Sequence, residues 1–86
     1  SVNFPNLINP KGGDESVCVF HKNVPNMLAQ ISSALSNEGL NIENLSSRSK
    51  KDLGYSVFEI IGSCSDELVK KLYSIDGIIR VNVIPN

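Results

Sequence analysis

The chain has 86 residues and a formal net charge of −1, and its composition is 41% hydrophobic and 20% charged. This length fits one small soluble domain with a limited core, for which association with a partner is a natural way to cover more surface. The nearly neutral charge argues against phosphate-driven binding of nucleic acid, and the longest apolar runs are far too short to span a membrane.

The first fourteen residues, SVNFPNLINPKGGD, contain two prolines, two adjacent glycines and three asparagines. Proline and glycine interrupt regular elements, so residues 1–14 are predicted to be an extended arm or linker from a preceding domain of a longer protein. The folded domain is expected to cover residues 15–86. The start of the chain has neither the basic residues nor the apolar core of a secretory signal.

A strand, a polar loop and a helix are predicted next. Residues 15–21 are rich in β-branched and aromatic side chains and are apolar on both faces, which favours a central strand. Pro25 suits the first turn of a helix that runs to about Glu38, and Gly39 suits the left-handed position that ends it. Three- and four-residue spacing predicts the buried stripe of this helix: Met27, Leu28, Ile31, Ala34 and Leu35.

The second half of the chain repeats this pattern. Residues 42–51 predict a polar edge strand, and a turn at residues 52–54 leads into residues 55–62, the strongest strand signal. Residues 63–66 supply N-cap candidates for a second helix. Its inward side chains are predicted to be Leu68, Leu72 and Tyr73, with Val69 beside them. Asp76 and Gly77 then turn the chain into a last strand over residues 78–84.

The order of elements is βαββαβ. It predicts two right-handed β-α-β units interleaved in an α+β, ferredoxin-like sandwich, with a four-stranded antiparallel sheet and both helices on one face. Because this fold hosts enzymes, metal carriers, RNA binders and sensors, function must be argued from individual residues.

Several of those functions need residues that the chain lacks. Metal carriers use closely spaced thiolates in the first loop, whereas Cys18 and Cys64 have no metal-type spacing and are interpreted as reduced, buried side chains of a cytoplasmic protein. The loop has no arginine to clamp a phosphate, and His21 is the only histidine, so no catalytic apparatus is predicted. RNA recognition requires alternate aromatic residues on one strand face, but Tyr55 is followed there by Val57.

Short polar side chains flank the first helix. His21 and Asn23 precede it and Asn41 follows it, and all three can donate or accept hydrogen bonds, as a ligand with an ammonium and a carboxylate group requires. The N–H groups at the helix start near Asn26 would add affinity for a carboxylate. The same residues also allow a structural explanation, in which Asn23 caps the helix, Asn41 tolerates a turn and His21 makes internal hydrogen bonds.

The loop from His21 to Pro25, HKNVP, with Met27-Leu28 after it and Gly39-Leu40-Asn41-Ile42 after the helix, resembles the signature of the ACT domain. SVNFP at the start, Gly54-Tyr55 and Gly77-Ile78-Ile79-Arg80 extend the resemblance over essentially the whole chain. Within that family, the sequence resembles the regulatory domains of an NAD-dependent dehydrogenase of serine biosynthesis. The resemblance implies a non-catalytic domain without a cofactor of its own, which binds L-serine in a homodimer whose sheets join side by side; NAD would belong to other domains of the parent enzyme.

The resemblance also implies which residues bind the ligand: His21, Asn23, Pro25, Asn26, Asn41 and Ile42. His21 and Asn23 would come from one subunit and Asn41 from its neighbour. At Asn26 the family usually has glycine, so a side chain here would narrow the pocket, change the preferred ligand or adopt a left-handed conformation, which asparagine tolerates well. Two alternatives remain open: a structural dimerisation domain without a ligand, and an ACT sensor for another amino acid.

Overall fold

The structure is a computed structural model that describes residues 13–86. The predicted linker therefore lies outside the described residues, apart from Gly13 and Asp14. The Asp14 N–H donates to the Ile60 carbonyl at 2.8 Å, and the Asp14 carboxylate accepts from the Gly62 N–H at 2.8 Å. These two bonds attach Asp14 to the end of the sheet.

Six elements follow in the predicted order βαββαβ. They are β1 (Glu15–Lys22), α1 (Met27–Asn37), β2 (Asn41–Lys50), β3 (Leu53–Ile61), α2 (Asp66–Tyr73) and β4 (Ile78–Pro85). The strands form one antiparallel sheet in the order β2-β3-β1-β4, and both helices pack on the same face of it. The predicted ferredoxin-like α+β fold is confirmed.

The polarity of each strand explains its place in the sheet. In β1, Val17 and Val19 face the helices with no exposed surface, and Cys18 on the opposite face is also buried. A strand that is apolar on both faces is covered only in the middle of the sheet, where β1 lies. In contrast, β2 is almost entirely exposed and forms one edge. The predictions of a central first strand and a polar edge strand are both confirmed.

The core combines both helices with one face of the sheet. Its buried residues are Val17, Val19, Met27, Ile31, Leu35, Phe58, Ile60, Leu68, Leu72 and Val81. Helix α1 contributes Met27, Ile31 and Leu35, which are spaced by four residues, while Leu28 and Ala34 are only partly buried at the border of this stripe.

The end of α1 is closed by hydrogen bonds that require a glycine. The N–H groups of Gly39 and Leu40 donate to the carbonyls of Ser36 and Leu35 at 2.9 and 3.2 Å, and Gly39 has a φ of 82°. This is the Schellman arrangement, in which the first residue beyond the helix is left-handed. The predicted role of Gly39 is confirmed.

Two predicted positions are wrong. Tyr73 is 46% exposed rather than inward, because its hydroxyl accepts the Val81 N–H at 2.9 Å and this bond holds the ring at the protein surface. The turn between β2 and β3 consists of Lys51 and Asp52, with Lys51 at φ 57°, whereas Gly54 lies inside β3. The reason for a glycine at that position is found in the candidate site.

Candidate functional site

A groove of about 300 Å³ lies between the β1–α1 loop, the start of α1 and the edge strand β2. This volume is at the small end of the range for ligand pockets. Its polar lining comes from His21, Asn23, Asn26, Ser47 and Ser49, and its apolar lining from Val24, Met27, Leu28 and Ala29. Because β2 is an edge strand, one wall of the groove can be reached by a second molecule.

His21 lies at the base of the groove and is only 4% exposed. Its Nδ1 atom is 2.9 Å from the Lys22 carbonyl oxygen, and its Nε2 atom is 2.9 Å from the Ser56 Oγ. Both ring nitrogens are therefore engaged inside the chain. A direct hydrogen bond from His21 to a ligand would have to replace one of them.

The hydrogen bonds continue from His21 to the wall of the groove. Ser56 has no exposed surface, and its Oγ lies 3.0 Å from the Oγ of Ser47, which lines the groove. Neither serine was identified from the sequence. The available signal was alternation along β3, because a serine between Gly54 and Phe58 on the same face must be buried and needs a hydrogen-bond partner.

The Ser56–His21 pair has the atoms of a nucleophile and its base but cannot act as one. Ser56 is fully buried, so no substrate reaches its hydroxyl. The His21 Nδ1 faces a backbone carbonyl instead of the carboxylate that orients the base in serine hydrolases. The pair therefore has a structural or ligand-positioning role.

Gly54 provides the space that His21 occupies. The two residues are direct partners in the pairing of β1 with β3, and a Cβ atom added to Gly54 would lie 2.5 Å from the His21 Cε1. This distance is too short for a side chain at residue 54, so the imidazole packs directly against the Gly54 backbone. This contact explains why a glycine stands inside β3 rather than in the turn.

Asn23 lies at the rim of the groove and connects two loops. Its Nδ2 donates to the Lys51 carbonyl at 3.2 Å and its backbone N–H to the Asp52 carbonyl at 2.7 Å. The N-cap of α1 is Asn26, which makes no side-chain capping bond, so the alternative in which Asn23 caps the helix is wrong. Pro25 is exposed in the turn before the helix and does not line the groove.

Asn26 adopts the left-handed conformation, with φ 69° and ψ 4°, and its side chain lines the groove. We expect Asn26→Gly to preserve or slightly raise the free energy of unfolding, and Asn26→Ala to lower it by about 1 kcal/mol, because alanine has no polar group that favours this conformation. Urea unfolding of the two variants measures the difference. Equal stabilities of the alanine and glycine variants would show that the left-handed backbone at residue 26 does not limit stability.

Asn41 and Ile42 lie at the far end of β2. Asn41 is exposed, with its Nδ2 3.4 Å from the Glu43 Oε2, while Ile42 is partly buried and packs against the core. At roughly 3.3 Å per residue, the eight steps along β2 from Asn41 to Ser49 span about 26 Å. A single domain thus brings His21, Asn23 and Asn26 to the groove and leaves Asn41 and Ile42 far from it.

A larger concavity, of about 510 Å³, lies on the open face of the sheet. Its floor includes Phe20 and Tyr55, whose ring centroids are 4.5 Å apart, and its rim includes Arg48 and Lys50. Ser49 and Tyr55 give this concavity two hydroxyl groups, but it has no amide or carboxylate side chain, and its two charged side chains are both cationic. The smaller groove beside α1 is therefore the candidate amino-acid site.

The thiols and acidic groups form no metal site in the described part of the chain. Cys18 and Cys64 are both free, and within residues 13–86 no three His, Cys, Asp or Glu side chains are placed to hold a metal ion. Over the same residues, neither helix has the length and apolar character needed to cross a membrane.

The pKa of the Cys64 thiol is raised from 9.0 to about 11, chiefly by burial and then by the carboxylates of Glu15, Asp66 and Glu38. Between these values the unfolded chain loses a proton that the folded chain keeps. The stability that this difference provides is complete below pH 9 and is lost as the pH rises to 11. We expect Cys64→Ala to lose less stability than the wild type between pH 9 and pH 11, as measured by urea unfolding. The same dependence of stability on pH in both proteins would contradict the raised pKa of Cys64.

Known proteins share this fold. The crystal structure of the ACT domain from the GTP pyrophosphokinase of Chlorobium tepidum matches with a TM-score of 0.69 at 19% identity, over 84% of this chain and 97% of that one. The solution structure of the C-terminal domain of the MgtC protein from Mycobacterium tuberculosis matches with a TM-score of 0.65 at 12% identity, over 92% and 94%. No model of a known protein family matches the chain. The fold is that of an ACT domain.

A similarity in sequence indicates which protein with an ACT domain this chain resembles. The D-3-phosphoglycerate dehydrogenase of Dictyostelium discoideum is 31% identical over 85 residues, which cover 98% of this chain and 20% of the relative. The chain thus spans about a fifth of the length of the curated relative it matches. This ACT domain resembles the regulatory domain of D-3-phosphoglycerate dehydrogenase, as the sequence signature predicts.

Proposed function

We propose that this domain is the amino-acid-binding regulatory domain of a D-3-phosphoglycerate dehydrogenase and that it binds L-serine for feedback control of serine biosynthesis. The parent would be a cytoplasmic, NAD-dependent oxidoreductase, with NAD bound by domains outside this chain. The supporting observation is the groove where His21, Asn23 and Asn26 converge beside the first turn of α1, in a chain similar to that enzyme.

The groove offers both kinds of group that a small zwitterion needs. Leu28 and Ala29 line it from the first turn of α1, where backbone N–H groups lack intrahelical acceptors and favour a carboxylate. The side-chain oxygens of Asn23 and Ser47 can accept from an ammonium group. The volume of about 300 Å³ is sufficient for an amino acid such as serine.

A second copy of the chain would complete the site. Antiparallel pairing of β2 with the β2 of a partner would cover the exposed edge and bring the start of one strand beside the end of the other. A twofold axis near Leu45 would bring the partner's Asn41 to the end of β2 that contains Ser49, beside the groove. Each of the two grooves would then contain His21 and Asn23 from one chain and Asn41 from the other.

This arrangement would couple ligand binding to the geometry of the parent enzyme. A serine that contacts both chains stabilises the paired state, and the paired state would hold the catalytic domains in a less active arrangement. Coupling free energies between sites are typically about 1–3 kcal/mol. Such a value is sufficient for feedback control without any catalytic residue in this domain.

Calorimetry tests the proposal directly. L-Serine titrated into the dimeric chain should release or absorb heat with one ligand per groove, while L-phenylalanine, which lacks the hydroxyl group of serine, should bind more weakly. The oligomeric state is followed in parallel by sedimentation, with dimer formation favoured by L-serine. An absence of heat with millimolar L-serine would remove serine as the effector.

A structural dimerisation domain without a ligand is the second candidate. The Asn26 side chain favours it, because this side chain occupies space in the groove that the usual glycine would leave open. This candidate predicts a stable dimer whose sedimentation is unchanged by any amino acid. A sensor for another amino acid would instead give heat with a different member of an amino-acid panel and none with L-serine.

A further inference from the structure

We propose that Ser47 and Ser56 form a hydrogen-bond relay from the buried His21 to the groove, and that the Ser47 Oγ accepts a hydrogen bond from the ammonium group of the ligand. The inference rests on the proposed function, because it assigns one group of the ligand within the same groove. It also explains how a histidine with both nitrogens engaged inside the chain can influence the ligand.

The direction of the relay is set at His21. The Lys22 carbonyl can only accept, so the His21 Nδ1, 2.9 Å away, carries the proton. In the neutral ring the Nε2 atom is then an acceptor. The Ser56 hydroxyl, at 2.9 Å, must donate to it.

The same reasoning fixes the next bond. Ser56 has one hydroxyl proton, and this proton is engaged with His21, so the Ser56 Oγ can only accept from Ser47. The two oxygens are 3.0 Å apart, and Ser47 therefore donates its own proton inward. What Ser47 presents to the groove is an oxygen with free lone pairs and no proton.

This polarity selects which end of an amino acid lies at β2. An ammonium group can donate a hydrogen bond to the Ser47 oxygen. A carboxylate can only accept, and the Ser47 proton already points to Ser56, so no hydrogen bond between a carboxylate and Ser47 can form. The start of α1 on the opposite wall, with its N–H groups at Leu28 and Ala29, suits the carboxylate. The ligand is thus oriented with its ammonium group toward β2 and its carboxylate toward α1.

The first test reads the proton on His21. Because the chain contains a single histidine, the ring nitrogen signals in a ¹⁵N NMR spectrum belong to His21 alone. We expect the neutral ring of the wild-type chain to carry its proton on Nδ1 and to leave Nε2 unprotonated. A proton on Nε2 would reverse every bond of the relay and overturn the inference.

The second test compares two ligands that differ only in the ammonium group. L-Serine has it, and 3-hydroxypropanoate keeps the carboxylate and the hydroxyl but lacks it. We expect Ser47→Val to weaken L-serine binding roughly ten- to a hundredfold, the usual effect of losing a hydrogen bond to a charged group, and to leave 3-hydroxypropanoate binding unchanged. Ser47→Thr, which keeps the hydroxyl, should restore L-serine binding.

Ser46→Val is the matched control, because Ser46 is adjacent on β2, faces the opposite side of the sheet and does not line the groove. It should change neither affinity. Equal weakening of both ligands by Ser47→Val would show that Ser47 only shapes the groove, and would overturn the ammonium assignment alone. A wild-type chain that binds neither compound would overturn the proposed function, and the assignment with it.

Discussion

Neither Asn23→Ala nor Asn41→Ala should bind L-serine with wild-type affinity, yet an equimolar mixture of the two variants should regain full-affinity binding at some of its grooves. The two side chains lie at opposite ends of β2 in one chain, with Asn23 beside the groove and Asn41 far from it. In the proposed dimer each groove combines the Asn23 of one chain with the Asn41 of the other. A mixed dimer therefore has one groove with both substitutions and one groove with neither.

The recovery has a defined size. If the chains exchange freely, about half of the dimers are mixed and about a quarter of all grooves are intact, by the statistics of a symmetric dimer. Each single variant should lose roughly ten- to a hundredfold in affinity, as expected when a hydrogen bond to a charged ligand group is removed. Calorimetry of the mixture, after unfolding and refolding the two variants together, measures the number of high-affinity sites.

Asn37→Ala provides the control, because Asn37 is an exposed asparagine at the end of α1 that does not line the groove. This variant should bind like the wild type, alone or mixed. If the mixture of Asn23→Ala and Asn41→Ala binds no better than its components, the site is not shared between chains. Retention of full affinity by Asn41→Ala would contradict the shared site even more directly.

Local chemistry explains why the fold could be predicted so fully. Apolar residues on both faces of β1 require cover from strands on either side, and the polar run in β2 excludes a central position. Gly39 ends α1 because the helix needs a left-handed residue there. Each of these features depends on neighbours in sequence or on a single periodicity, and such signals are visible without coordinates.

Features that depend on a distant partner were not visible in the same way. Tyr73 has the spacing of an inward helical residue, but the Val81 backbone offers its hydroxyl a bond at the surface. Ser56 and Ser47 became part of the site only when pairing of β2, β3 and β1 placed them in line with His21. Loop signatures named the residues of the groove, but only the sheet shows that Asn41 is remote from it within one chain.

Gly54 is another residue whose role depends on a distant partner. From the sequence it resembles a turn residue, because it follows a polar turn. In the structure a glycine is needed there because the His21 imidazole on the adjacent strand β1 occupies the space of a side chain. We expect Gly54→Ala to lower the free energy of unfolding by about 1–3 kcal/mol, the usual cost of overpacking, since the new methyl group would displace the His21 ring. Displacement of His21 would also break its bonds to Lys22 and Ser56, so L-serine binding should fall together with stability.

Gly39→Ala is the comparison variant, because it tests the backbone effect without a steric clash. Gly39 has a positive φ, and no atom lies within 4 Å of a Cβ added there. Gly54 has the opposite properties, since its φ is not positive and an added Cβ would clash with His21. The decisive comparison is a double-mutant cycle measured by urea unfolding. In a His21→Ala background the added methyl group has room, so Gly54→Ala should cost much less there than in the wild type, with a coupling of about 1 kcal/mol or more between contacting residues. Equal costs in the two backgrounds would show that the glycine is required by the strand and not by the imidazole beneath the groove.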